Sequence, residues 1–112
     1  MITNVIITNR SDAVRIVQQL MANNHNVCWI TICNLKASPL KLHSLNKKNI
    51  LVSKFDDIAT KPITHKQMCK IKNFIMNHHV NNSKNFTLVV NCHAGVSRSA
   101  AIGVFCQQNL NI

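Results

Sequence analysis

The chain has 112 residues, 46% of them hydrophobic and 14% charged, enough apolar material for one globular domain over residues 1–112 and too much for a disordered polymer. No apolar run reaches the roughly 18 residues that span a bilayer, and the opening MITNVIITNR lacks the basic-then-apolar order of a secretion leader. The formal charge of +10 draws anions, yet the lysines are scattered and aromatics that could stack bases are few, so a dedicated nucleic-acid role is not favoured.

Taken in chain order, the elements alternate between strand and helix. Val5–Thr8 is a short β-rich run. Ser11 is placed to cap a helix reaching Asn23, with Asp12 in its first turn and Ala13, Ile16, Val17 and Leu20 on one face. Val27–Cys33 is apolar throughout, as expected of a strand covered on both sides. Residues 34–49 are polar, include Pro39, and read as a surface connection. Ile50–Phe55 is a further strand, ending at Asp56 and Asp57. Thr64 caps a second helix that buries Met68, Ile71, Phe74 and Ile75. Phe86–Val90 is the last strand. This alternation predicts an α/β fold, a central mostly parallel sheet flanked by helices. Ligands of such sheets sit at the carboxyl ends of the strands.

At that edge the last strand runs into Cys92, five residues, Arg98 and a small-residue helix beginning Ser99-Ala100-Ala101. Backbone N–H groups of His93, Ala94, Gly95, Val96, Ser97 and Arg98 can converge on an anion there, with the positive end of the helix dipole behind them. The same field favours thiolate at Cys92. Gly95 permits the turn. Arg98 supplies a planar fork for two phosphate oxygens, which lysine lacks. The residues thus describe a phosphate cradle with a nucleophile inside it.

The string NCHAGVSRSA resembles the active-site loop of the cysteine-dependent protein phosphatases, particularly their dual-specificity branch. Upstream, KFDDIATKPITHKQMCKIKNFI is similar to the acid loop and following helix of small phage and bacterial members. The resemblance implies hydrolysis of phosphate monoesters through a phosphocysteine, with Cys92 as nucleophile and Arg98 with the loop amides on the equatorial oxygens. It also implies a carboxylic acid for the leaving oxygen. Asp12, Asp56 and Asp57 are the only acidic residues. Asp57 matches the family's position best, with Asp56 in reserve. Ser99 would hydrogen-bond the Cys92 sulfur and steady it as a leaving group. Neither cofactor nor metal is implied. The expected partner is a phosphorylated protein, carrying phosphotyrosine or also phosphoserine and phosphothreonine. An RNA 5′-phosphatase and a phosphoprotein-binding module with a weakened site are the rivals.

Two departures from the family stand out. Its members place histidine before the nucleophile, where this chain has Asn91, which can bond backbone groups but carries no charge. His93, on the other side, is expected to point away from the phosphate. Members also continue past the loop helix, so Val104, Phe105 and Leu110 are expected to present apolar surface.

The remaining candidates read as structural. His65 and Cys69 lack further ligands for a metal, and His78-His79 suits the negative end of a helix. Cys28 and Cys33 face opposite sides of a strand, and Cys106 is expected to be a packed thiol rather than a disulfide partner of Cys92. Arg10 and Arg15 are assigned to the first loop and helix. Five cysteines without paired spacing fit a reducing compartment, which predicts a cytoplasmic chain. Oligomeric state is not specified by these patterns.

Overall fold

Four runs rich in β-branched residues pair in parallel into one sheet, and each is joined to the next across a face of it. The structure, a computed structural model, describes residues 1–56, 63–80, 83–110 and 112. Its elements are β1 (Ile2–Asn9), α1 (Arg10–Ala22), β2 (Asn26–Cys33), a 3₁₀ turn (Lys47–Asn49), β3 (Ile50–Lys54), α2 (His65–Val80), β4 (Phe86–Cys92) and α3 (Arg98–Leu110). The strand order is β1-β4-β2-β3, and every pairing is parallel. Sheet and helices therefore form the α/β arrangement expected from the alternation.

β4 is flanked by strands on both edges and covered on both faces, so all seven of its residues are buried. Its even-numbered side chains, Phe86, Leu88, Val90 and Cys92, face a cluster with Ile71 and Ile75 of α2 and Ile102, Cys106 and Leu110 of α3. Val89, pointing the other way, packs with Trp29 of β2 and with Ala13 and Val17 of α1. This period-two alternation between two dry faces is why β2 and β4 read as continuous apolar runs.

Several local expectations are corrected. The cap of α1 is Asn9 rather than Ser11: Asn9 keeps an extended backbone, and its Oδ1 accepts from the Asp12 N–H at 2.9 Å. Its Nδ2 also donates to the Asp12 carboxylate at 3.1 Å, so the helix starts directly at the end of β1, and Ser11 is an exposed residue inside it. Thr64 does cap α2, in a reciprocal box with Gln67: Thr64 Oγ1 accepts from the Gln67 N–H at 3.1 Å, and Gln67 Oε1 from the Thr64 N–H at 2.9 Å. Gln67 Nε2 also donates to the Lys54 carbonyl at 2.6 Å, tying the end of β3 to the first turn of α2.

Met68 is 40% exposed, because the sheet-facing stripe of α2 is Ile71, Ile75 and His78. His78 lies in the last turn of α2, as expected, and faces the sheet. Its ring is buried, with Nδ1 2.9 Å from the Phe74 carbonyl and Nε2 3.0 Å from Asn49 Oδ1, and it stacks at angles on Phe74 and Phe86. Leu110 is buried at 7%, following Ile102 and Cys106 down one stripe of α3; Val104 is exposed as expected, and Phe105 is half-buried. The polar connection 34–49 is less solvated than its composition suggests: Leu45 is buried, and Leu40 and Leu42 pack beside it over the Trp29 face.

Among the described residues all five cysteines are free, and no group of three metal-ligating side chains occurs. His65 Nε2 and Cys69 Sγ stand 3.5 Å apart, with no third ligand among the described residues. No described helix is long and apolar enough to cross a membrane.

Candidate phosphate site at the end of β4

The carboxyl ends of β1, β4 and β2 meet where residues 93–97 turn from β4 into α3. The loop is held down at two points. The Arg10 N–H, first in α1, donates to the His93 carbonyl at 3.1 Å. Gly95, at φ +74°, lies against the end of β1 so closely that a Cβ there would sit 2.8 Å from the carbonyl carbon and oxygen of Thr8. An alanine would meet both the left-handed backbone and an immovable strand, so the glycine expected for the turn is required twice over.

Two donors stand at the Cys92 sulfur. The Gly95 N–H donates to Sγ at 3.2 Å, and Ser99 Oγ lies 3.2 Å from it. Burial alone would raise the thiol pKa. It is outweighed by the Ser99 hydroxyl and by the backbone N–H groups of Ser99, Gly95 and Val96, which bring the pKa below its ordinary value. Cys28 and Cys106 provide the contrast: burial pushes them up to about 12 and about 11, leaving inert packed thiols.

Arg98 opens α3 and returns over the cavity. Its Nη1 donates to Asn34 Oδ1 and to the Phe55 carbonyl, both at 2.8 Å. Nε is buried with no partner among the described residues. Cys92, His93, Ala94, Ser97 and Arg98 line a cavity of about 430 Å³ together with Asn34 and Asp56. His93 is an exposed residue at its rim, and Val96 is 72% exposed on the outside of the turn. An apolar groove of about 390 Å³ adjoins it, sharing Ser97 and Arg98 and floored by Phe55, Ile71 and Phe105. A larger cavity of about 670 Å³, at the other end of the sheet beside Lys48 and Lys84, contains none of these residues.

Asp57, matched to the family's acid, lies outside the described residues. Asp56 stands at the cavity, and its Oδ1 accepts from the Leu35 N–H at 3.0 Å, linking the end of β3 to the end of β2. Two participants were not singled out from the sequence. Asn34 holds the arginine, and its only signal was a polar residue directly after an apolar strand, at the edge where such sheets bind ligands. The Phe55 carbonyl carries no sequence signal at all. Arg10 reaches the Ser38 carbonyl through Nη2, and Arg15 pairs with Asp12 on the exposed side of α1, so both belong to the first helix as expected.

No family model matches the sequence, and no curated protein matches it. Among solved structures, the crystal structure of Cydia pomonella PTP-2 phosphatase is similar to this chain, with a TM-score of 0.75 and 22% identity. The match covers 97% of this chain and 67% of that one, so β1 through α3 follow the fold of a phosphatase.

Proposed function

We propose that this chain, folded as a phosphatase, is a cysteine-dependent enzyme that hydrolyses phosphate monoesters on proteins, phosphotyrosine first, through a phosphocysteine. The observation that carries this reading is the Cys92 sulfur, within 3.2 Å of both the Gly95 N–H and the Ser99 hydroxyl and sharing a cavity with Arg98. In the first step the thiolate attacks phosphorus, the P–O ester bond breaks, and the leaving oxygen takes a proton from a carboxylic acid. Arg98 and the loop amides carry the charge on the equatorial oxygens. In the second step water attacks phosphorus and gives its proton to the same carboxylate. The S–P bond breaks, and the thiolate departs to the Ser99 hydroxyl. The apolar groove beside Arg98 suits an aromatic phosphoresidue and its neighbours.

The test is turnover of a small aryl phosphate, with acid-quenched peptide mapping for phosphate on the Cys92 peptide. Turnover with a labelled Cys92 supports the enzyme, and phosphopeptide binding without turnover points to a binding module. The net charge of +10 favours RNA 5′-ends as the rival substrate, so a tyrosyl phosphopeptide should be compared with 5′-triphosphorylated RNA. Faster turnover of the RNA would overturn the protein assignment.

Asp57 is assigned as the acid, since Asp56 already serves as acceptor for Leu35. Asp57→Asn should cost about 10²–10³ in kcat for substrates with poor leaving groups and flatten the alkaline limb of the pH–rate profile. Asp56→Asn should cost roughly tenfold or less. The reverse order would transfer the role to Asp56.

A further inference from the structure

Behind the nucleophile, on the other face of β4, stands a fully buried amide, Asn91, among Trp29, Val89 and the buried threonines Thr31 and Thr87. Asn91 is 0% exposed, as is Trp29 beside it. Trp29 Nε1 donates to Asn91 Oδ1 at 2.8 Å, and Asn91 Nδ2 lies 3.5 Å from the Cys92 carbonyl oxygen. An amide taken out of water is costly unless its atoms are paired, and an indole offers a donor and nothing else. The match is therefore specific in direction: the tryptophan occupies the amide oxygen, which turns the amide nitrogen toward the Cys92 peptide. Register adds a second observation. The β2–β4 pairing ends at Thr31–Asn91, so Cys92 is the first residue of β4 without a partner on β2. The side-chain bridge from Trp29 extends the tie to β2 by that one residue. On the far side, β1 still pairs with Cys92 through Asn9.

We propose that Trp29 and Asn91 are positioning residues for Cys92, an uncharged indole–amide clamp that fixes the peptide at the nucleophile so that the loop amides meet its sulfur, a role that presupposes Cys92 as the reacting thiol. A pair that merely filled the core would matter for stability alone. The clamp also governs how readily the sulfur is held as thiolate, because the Gly95 and Ser99 contacts depend on where β4 ends.

The experiment is alkylation by iodoacetamide, followed residue by residue by peptide mass spectrometry across pH, with Cys69 as the internal control thiol. Trp29→Phe keeps the ring and removes the donor. Cys92 alkylation at neutral pH is expected to slow by about fivefold or more, with its pH midpoint moved upward and Cys69 unchanged. The double variant Trp29→Phe with Asn91→Leu leaves no orphaned amide, so its melting temperature should recover while Cys92 alkylation stays slow. Alkylation within roughly twofold of wild type in Trp29→Phe, or alkylation that recovers with stability in the double variant, would overturn the clamp. Should Trp29→Phe fail to fold, the double variant decides alone by the same criterion. Alkylation does not require turnover. A wild type that alkylates readily at Cys92 yet hydrolyses no ester would therefore sink the phosphatase reading and leave the clamp to be judged on these rates.

Discussion

Cys92→Ser is expected to abolish turnover of an aryl phosphate, by on the order of 10⁴-fold or more, while a phosphopeptide still binds. The asymmetry follows from what the substitution touches. The oxygen of serine is not ionised near neutral pH, and as an alkoxide it is a far poorer leaving group than a thiolate in the second step. Everything else in the cradle is contributed by other residues. The Gly95 N–H still points at position 92, Ser99 still lies beside it, and Arg98 remains held by Asn34 and Phe55. Calorimetric titration with a phosphotyrosyl peptide measures the binding half, and a continuous aryl phosphate assay the other. Turnover within about tenfold of wild type would rule out Cys92 as the nucleophile.

Arg98→Lys is expected to lower kcat by about 10³ and to weaken phosphate binding as well. The guanidinium has two tasks at once. Nη1 is committed to Asn34 Oδ1 and the Phe55 carbonyl, and Nε is left over as a buried donor. The two acceptors directly follow β2 and β3, so they fix Nη1 at the edge of the cavity that Asn34 and Arg98 line. A lysine ammonium keeps the charge. It cannot satisfy Asn34 and Phe55 and also present two parallel N–H groups to phosphate oxygens. The loss should fall on kcat more than on KM, since aligned donors gain most as charge builds in the transition state. A steady-state comparison of the two constants checks this; equal kcat in both proteins would remove Arg98 from the transition state.

Much of the candidate site was legible in the chain because its parts are local. Cys92, Gly95, Arg98 and Ser99 lie within one loop and the helix it feeds, and their relative placement follows from loop spacing and a helix start. Strand and helix alternation likewise carried the parallel sheet, since a buried parallel strand must be apolar on both faces. The misreadings are those in which two local rules competed. Asn9 and Ser11 are both good caps, and the end of β1 decided between them. Met68 and Leu110 both follow apolar helical patterns, yet only the orientation of each helix on the sheet determines which turn is covered.

What the sequence determined by itself is therefore a local arrangement: a cysteine at a strand end, a turn rich in backbone N–H groups and a helix start that carries an arginine, all encoded within neighbouring residues. Tertiary structure alone decided what steadies it. Asn34 and the Phe55 carbonyl reach Arg98 from strands β2 and β3, Thr8 presses on Gly95 from β1, and Trp29 meets Asn91 across β2 and β4. These partners lie far from the loop in sequence, and no spacing rule links them to it. They become neighbours because the strand order β1-β4-β2-β3 brings the ends of separate strands to one edge of the sheet.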